Sequence, residues 1–178
     1  MKTKLKIIVP AIVLLGMIAM MGSCKKENPA NGYMTVKMTD APANYLAVNV
    51  EIIGVSAYVD NVGWVDLPCN AGVYDLLTLQ NDVTATLASN VTLPVGKVSQ
   101  VRLLLGANNS ITTLTGTYDL KVPSGSESGL KINLHEDIAP NNHVVVVLDF
   151  DAGLSVIENR RDSYSLKPVI KVESVTHI

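Results

Sequence analysis

Val48-Asn49-Val50-Glu51-Ile52-Ile53-Gly54-Val55-Ser56-Ala57-Tyr58-Val59 is the stretch on which the fold turns. Val48, Val50 and Ile52 alternate with their neighbours at a period of two, as in a strand with one buried face. The phase slips at Ile52-Ile53-Gly54 and resumes as Ile53, Val55, Ala57 and Val59. A one-residue slip beside a glycine marks a β-bulge, because an extra residue reverses the face taken by every later side chain. One long, bent strand is expected here, the second of its domain.

The same period runs through the flanking chain. Met34, Val36 and Met38 alternate before Thr39-Asp40-Ala41-Pro42, and further alternations follow at Val101, Leu103, Leu105, at Tyr118, Leu120, Val122 and at Leu130, Ile132, Leu134. Turn residues separate them, as in Gly106-Ala107-Asn108-Asn109 and Pro123-Ser124-Gly125. Val144 to Phe150 is apolar on both faces apart from Asp149, which suits a strand inside a sheet. Tyr164 to Val175 alternates again, but Pro168 has no N–H for a ladder and points to an edge. Only Gln80 to Ser89 is a candidate for a short helix. About eight short strands at this spacing predict an all-β fold, an antiparallel β-sandwich of immunoglobulin-like type, in a single domain over 33–178.

The chain begins differently. Lys2, Lys4 and Lys6 precede an apolar run from Ile7 to Met20, and Met21-Gly22-Ser23-Cys24 follows. Basic region, short apolar region and small residues form the order of a secretory signal. The run is fourteen residues long, whereas a helix needs about 20 to cross a bilayer. Gly22-Ser23-Cys24 resembles the lipobox of bacterial lipoproteins, in which the cysteine thiol receives diacylglycerol before cleavage. Residues 1–23 are thus expected to be a lipoprotein signal peptide, Cys24 the lipidated residue, and 24–32 a polar tether. Stable anchoring needs two acyl chains or more, which this modification supplies. Cys69 is then the one remaining thiol, so no intramolecular disulfide forms. Without Lys2, Lys4 and Lys6, eleven basic residues face sixteen acidic ones, a net charge near −5. No basic run longer than a pair, such as Lys25-Lys26, survives, which argues against a nucleic-acid partner.

Few residues suggest chemistry. Gly125-Ser126-Glu127-Ser128-Gly129 places Glu where a nucleophile elbow needs Ser, and reads as a hairpin turn. His135, His143 and His177 have no zinc spacing. Asp149 and Asp151, two apart at the end of a valine run, are expected to share a face, and their desolvation needs compensation. A calcium ion held by Asp149, Asp151 and a loop oxygen of Asp40 is one form of compensation, and the only cofactor considered. Bonds from the aspartates to loop N–H groups or to a lysine are the other. Trp64, beside a glycine turn, is assigned to the core. With one Trp and one Phe, the chain is poor in the platforms that stack on sugars. Lys131, Lys167 and Asp149 offer the residue types of an intramolecular isopeptide bond.

Several stretches can be compared with a known pattern: Thr39-Asp40-Ala41-Pro42, Ala47-Val48-Asn49-Val50, Gly72-Val73-Tyr74-Asp75-Leu76-Leu77, Leu93-Pro94-Val95-Gly96, Gln100-Val101-Arg102-Leu103, Leu120-Lys121-Val122-Pro123-Ser124-Gly125, Leu148-Asp149-Phe150-Asp151 and Leu166-Lys167-Pro168-Val169-Ile170. In this order they resemble the lipoprotein family known as domain of unknown function 4382, from about Met34 to Lys171. Val98 departs from it, standing where an aromatic is common. The resemblance implies an outer-membrane lipoprotein of Bacteroidetes type, facing the periplasm or the cell surface, with a transthyretin-like sandwich and no established activity. Lys25-Lys26-Glu27 also resembles the surface-export signals of such lipoproteins.

The leading expectation is a non-catalytic binding or structural module, without enzymatic activity, whose partners are the membrane, through lipid on Cys24, and an envelope protein or glycan. A fimbrial or adhesin component is the alternative, although the cleavage after an arginine that such precursors undergo would here fall at Arg102. The alternative of a different class is a metal-assisted hydrolase, which requires Asp149, Asp151 and His135 to meet in one pocket.

Overall fold

The Val48–Val59 alternation becomes strand β2 (Ala47–Val59), with Val48, Val50 and Ile52 fully buried, Ile53 exposed, and Val55, Ala57 and Val59 buried again. Strand β6 (Gly96–Leu105) sets Leu105 opposite Ile52 and Leu104 opposite Gly54, so Ile53 is the extra residue of a bulge. The bulge lies where the phase slips. Ile53, however, points outward instead of starting the second buried run. A Cβ on Gly54 would come within 2.9 Å of Leu104 Cδ1, so the glycine lets β6 approach.

The chain is seen in a computed structural model that describes residues 30–122, 128–160 and 162–178. The leader, Cys24, the tether up to Pro29, the Pro123-Ser124-Gly125 turn and most of the 125–129 hairpin lie outside the described residues.

Two sheets pack face to face. With 13 residues, β2 is long enough to take two strands on each edge. One edge carries β3 (Gly63–Leu67) and β4 (Gly72–Asp75), and the other carries β6 and β7 (Ser110–Thr113). Beyond β7 lie β8 (Gly116–Lys121), β12 (Tyr164–Leu166) and β11 (Val156–Glu158), and beyond β6 lies β9 (Leu130–Ile138). The smaller sheet runs β13 (Ile170–His177), β10 (His143–Phe150), β1 (Asn31–Thr39), β5 (Ala85–Pro94). Between them sits one core, to which β1 gives Met34, Val36 and Met38 and β10 gives Val144, Val146, Leu148 and Phe150, all fully buried.

The β-sandwich is the expected architecture, and β10 is interior and β13 an edge, as read. Four details differ. The sheets are mixed: β1 runs parallel to β10, and β8 parallel to β12. The described residues hold thirteen strands instead of about eight, because β3, β4, β7, β11 and β12 have only three to five residues each, too few to display an alternation. Gln80 to Ser89 holds no helix: Asn81 and Asp82 take left-handed conformations in a turn, and Ala85 onward pairs with β1. The helical turn in this region is a 3-10 turn at Leu76–Leu79, capped by Asp75, whose Oδ1 accepts from Leu77 N–H at 3.1 Å. Finally, Tyr164 to Val175 is two strands in two sheets, and Pro168 lies where the chain crosses between them.

The domain also starts earlier than the tether reading placed it. β1 begins at Asn31, Tyr33 N–H donates to Asn142 O at 2.8 Å, and Gly32 is buried. A Cβ on Gly32 would lie 2.5 Å from both Ala139 O and Ile138 Cγ2. Gly32→Ala is therefore expected to lower the unfolding free energy by about 1–3 kcal/mol, as overpacking does. Urea denaturation measures it, and an unchanged midpoint would return Gly32 to the tether.

Candidate functional site

Asp40 directly follows β1 and is 5% exposed. Its Oδ1 accepts from Ala152 N–H at 2.8 Å, its Oδ2 from Gln80 Nε2 at 3.2 Å, and its own N–H donates to Leu79 O at 3.1 Å. One carboxylate thus joins β1, the segment after the 3-10 turn and the chain leaving β10. Burial, the largest influence, pushes the Asp40 carboxyl up to about 6, and the negative charges of Asp149 and Asp151 push the same way, against its two hydrogen bonds.

The other two aspartates are held by protein groups. Asp149, also 5% exposed, meets Lys171 Nζ at 3.1 Å through Oδ2, while Oδ1 is buried with no partner among the described residues. Asp151 lies past the end of β10 and is not its strand neighbour. It caps the helical turn Ala152–Ser155, accepting from Leu154 N–H at 2.8 Å. A lysine and loop N–H groups are therefore the compensation found here. Among the described residues, no three His, Cys, Asp or Glu side chains are grouped to hold a metal ion.

The hydrolase constellation does not assemble. His135 is exposed on β9 in the larger sheet, with a left-handed backbone. Its neighbour Glu136 meets His177 Nε2 at 3.2 Å, and His177 pairs with Val144. Val144 is five residues along β10 from Asp149, about 17 Å at the usual strand rise. Two surface clefts, of about 630 and about 480 Å³, contain none of the three residues. Nor do the isopeptide candidates converge, since Lys131 lies near Trp64 on the larger sheet and Asp149 pairs with Lys171.

A second cluster forms where strand alternation puts side chains on the outer face of the larger sheet. Across β3, β2, β6 and β9, Trp64, Tyr58, Gln100 and Asn133 make one row, and Asp66, Ser56, Arg102 and Lys131 the next. Trp64 is half-buried here and not in the core, because its strand neighbours Val65 and Leu67 take the inner positions. Tyr58 meets it edge-on at 5.3 Å. Arg102 Cζ lies 4.4 Å from the indole centroid and Lys131 Nζ 5.9 Å. Arg102 Nη2 donates to Ser56 Oγ at 3.1 Å, and Ser56 Oγ to Asp66 Oδ1 at 2.7 Å. The alternation Trp64-Val65-Asp66-Leu67 already carried the signal, with Trp64 on the same side as an aspartate.

The family described as Domain of unknown function (DUF4382) matches residues 31–168. No curated protein and no solved structure matches the chain.

Asp40 gives the corner a pH response. Its folded pKa lies above the unfolded 3.8, so its contribution to stability is complete below about pH 4 and is lost as pH rises through about 6. Asp40→Asn keeps an oxygen for Ala152 N–H and has no charge to lose. The melting temperature of the native protein relative to this variant is expected to rise by roughly 2–4 °C between pH 7.5 and pH 5. A pH-independent difference would refute the assignment.

Proposed function

We propose that this chain, which belongs to the DUF4382 family, is a non-catalytic binding or structural module of the bacterial cell envelope, held at the outer membrane by lipid on Cys24. The observation that carries this reading is the spacing between the lipobox cysteine and the first core strand. Six residues separate Cys24 from Asn31, a reach of about 20 Å when extended. The start of β1 would then stand at the membrane, with the Asp40 corner at the far end of the domain. A mature chain with an excess of acidic residues gains nothing from an anionic lipid surface, which makes the acyl chains the means of attachment.

Labelled palmitate fed to bacteria expressing the full chain tests the anchor. The protein is expected to take up label and fractionate with membranes, whereas Cys24→Ser stays unlabelled and keeps its leader, a mass difference readable by mass spectrometry. Label retained by Cys24→Ser, or absent from the unaltered chain, would overturn the reading.

A further inference from the structure

We infer that the outer face of the larger sheet, centred on Trp64 and Arg102, binds an acidic glycan: a chain of sugar rings bearing carboxylates. The inference goes beyond the lipid anchor and does not depend on it. Three chemistries lie side by side in the two cross-strand rows. The first is charge. Arg102 and Lys131 are cross-strand neighbours beside the same indole, and within these rows Asp66 is the one acid, itself engaged by Ser56 and 3.7 Å from Arg102. Like charges directly opposite on a sheet destabilise it, and a carboxylate between them would relieve that repulsion. In a domain whose overall charge is negative, this local excess of cation selects an anionic ligand by complementarity.

The second is an apolar surface. Trp64 and Tyr58 form a T-shaped pair on the outer face, both half-buried. Arg102 occupies one indole face and keeps the ring in place, so the exposed part of the ring is preorganised for the C–H surface of a sugar. The third is hydrogen bonding. Gln100 Nε2 donates to Asn133 Oδ1 at 2.9 Å. That bond leaves Gln100 Oε1 as an acceptor and Asn133 Nδ2 as a donor, neither with another partner among the described residues. Hydroxyl groups, which donate and accept, match such a pair. Cations alone would attract any polyanion; rings and free amide groups beside them favour carboxylates carried on sugars.

Trp64 is the one tryptophan of the chain, so its emission reports on this face directly. The full chain in detergent is titrated with polygalacturonate, with dextran as a neutral polymer and polyglutamate as a carboxylate polymer without sugar rings. A saturable change in Trp64 emission with polygalacturonate alone is expected, weakened by salt. Lys131→Glu, at an exposed position that leaves the core untouched, is expected to weaken binding at least tenfold. Asn133→Ala, which keeps both cations, is expected to weaken it less. No saturable change with polygalacturonate, an equal change with dextran, or undiminished binding by Lys131→Glu would overturn the inference. So would an equal response to polyglutamate, which would make the partner an acidic polypeptide. Palmitate labelling reads the anchor separately, so either conclusion can fail without the other.

Discussion

The fold depends on β1 being hydrogen-bonded along both edges, to β10 on one side and β5 on the other. Neither partner is its neighbour in sequence. The β10 pairing joins Tyr33 to His143 and Thr39 to Asp149 in parallel, and the chain between the two strands holds most of the larger sheet. Loop closure over that distance is costly in entropy, and such pairings form slowly. What offsets the cost is burial: Met34, Val36 and Met38 of β1 and Val144, Val146, Leu148 and Phe150 of β10 are removed from water entirely.

The acidic corner is a by-product of the same pairing. Parallel strands end at the same end of a sheet, and with Thr39 opposite Asp149, the residue after β1 and the residues around the end of β10 must come together. Asp40, Asp149 and Asp151 therefore lie at one corner of the domain because of register, without grouping as metal ligands would. Their charges are managed one by one, with backbone N–H groups for Asp40 and Asp151 and a lysine for Asp149. Asp40 is held closer to losing its charge than an ordinary carboxyl, because it is buried and senses both of the others.

Much of this was legible in the residues. The slip at Ile52-Ile53-Gly54 marked the bulge, the apolar run of β10 marked an interior strand, and Pro168 pointed to an edge, which β13 takes and β12 does not. Period two tells which side of its own strand a residue takes. It does not tell which strands are neighbours. Gln100, Arg102, Lys131 and Asn133 each fall next to the apolar residues of an alternation, but only the antiparallel registers of β6 with β2 and β9 bring them beside Tyr58 and Trp64. The same limit explains Gln80 to Ser89, where a weak local pattern yields to pairing with β1. Val98, which departs from the family's aromatic preference, is fully buried, so the change alters core volume and leaves the outer face untouched.

The position of β1 also has a mechanical meaning. A load that enters the domain at Asn31 runs along the axis of β1, because the strand begins at that residue. With ladders on both edges, such a load shears many hydrogen bonds at once; an edge strand pulled from its end would let them peel in turn. In this geometry a pull on Asn31 along the strand meets all the β1 ladder bonds together, which an edge strand would not offer.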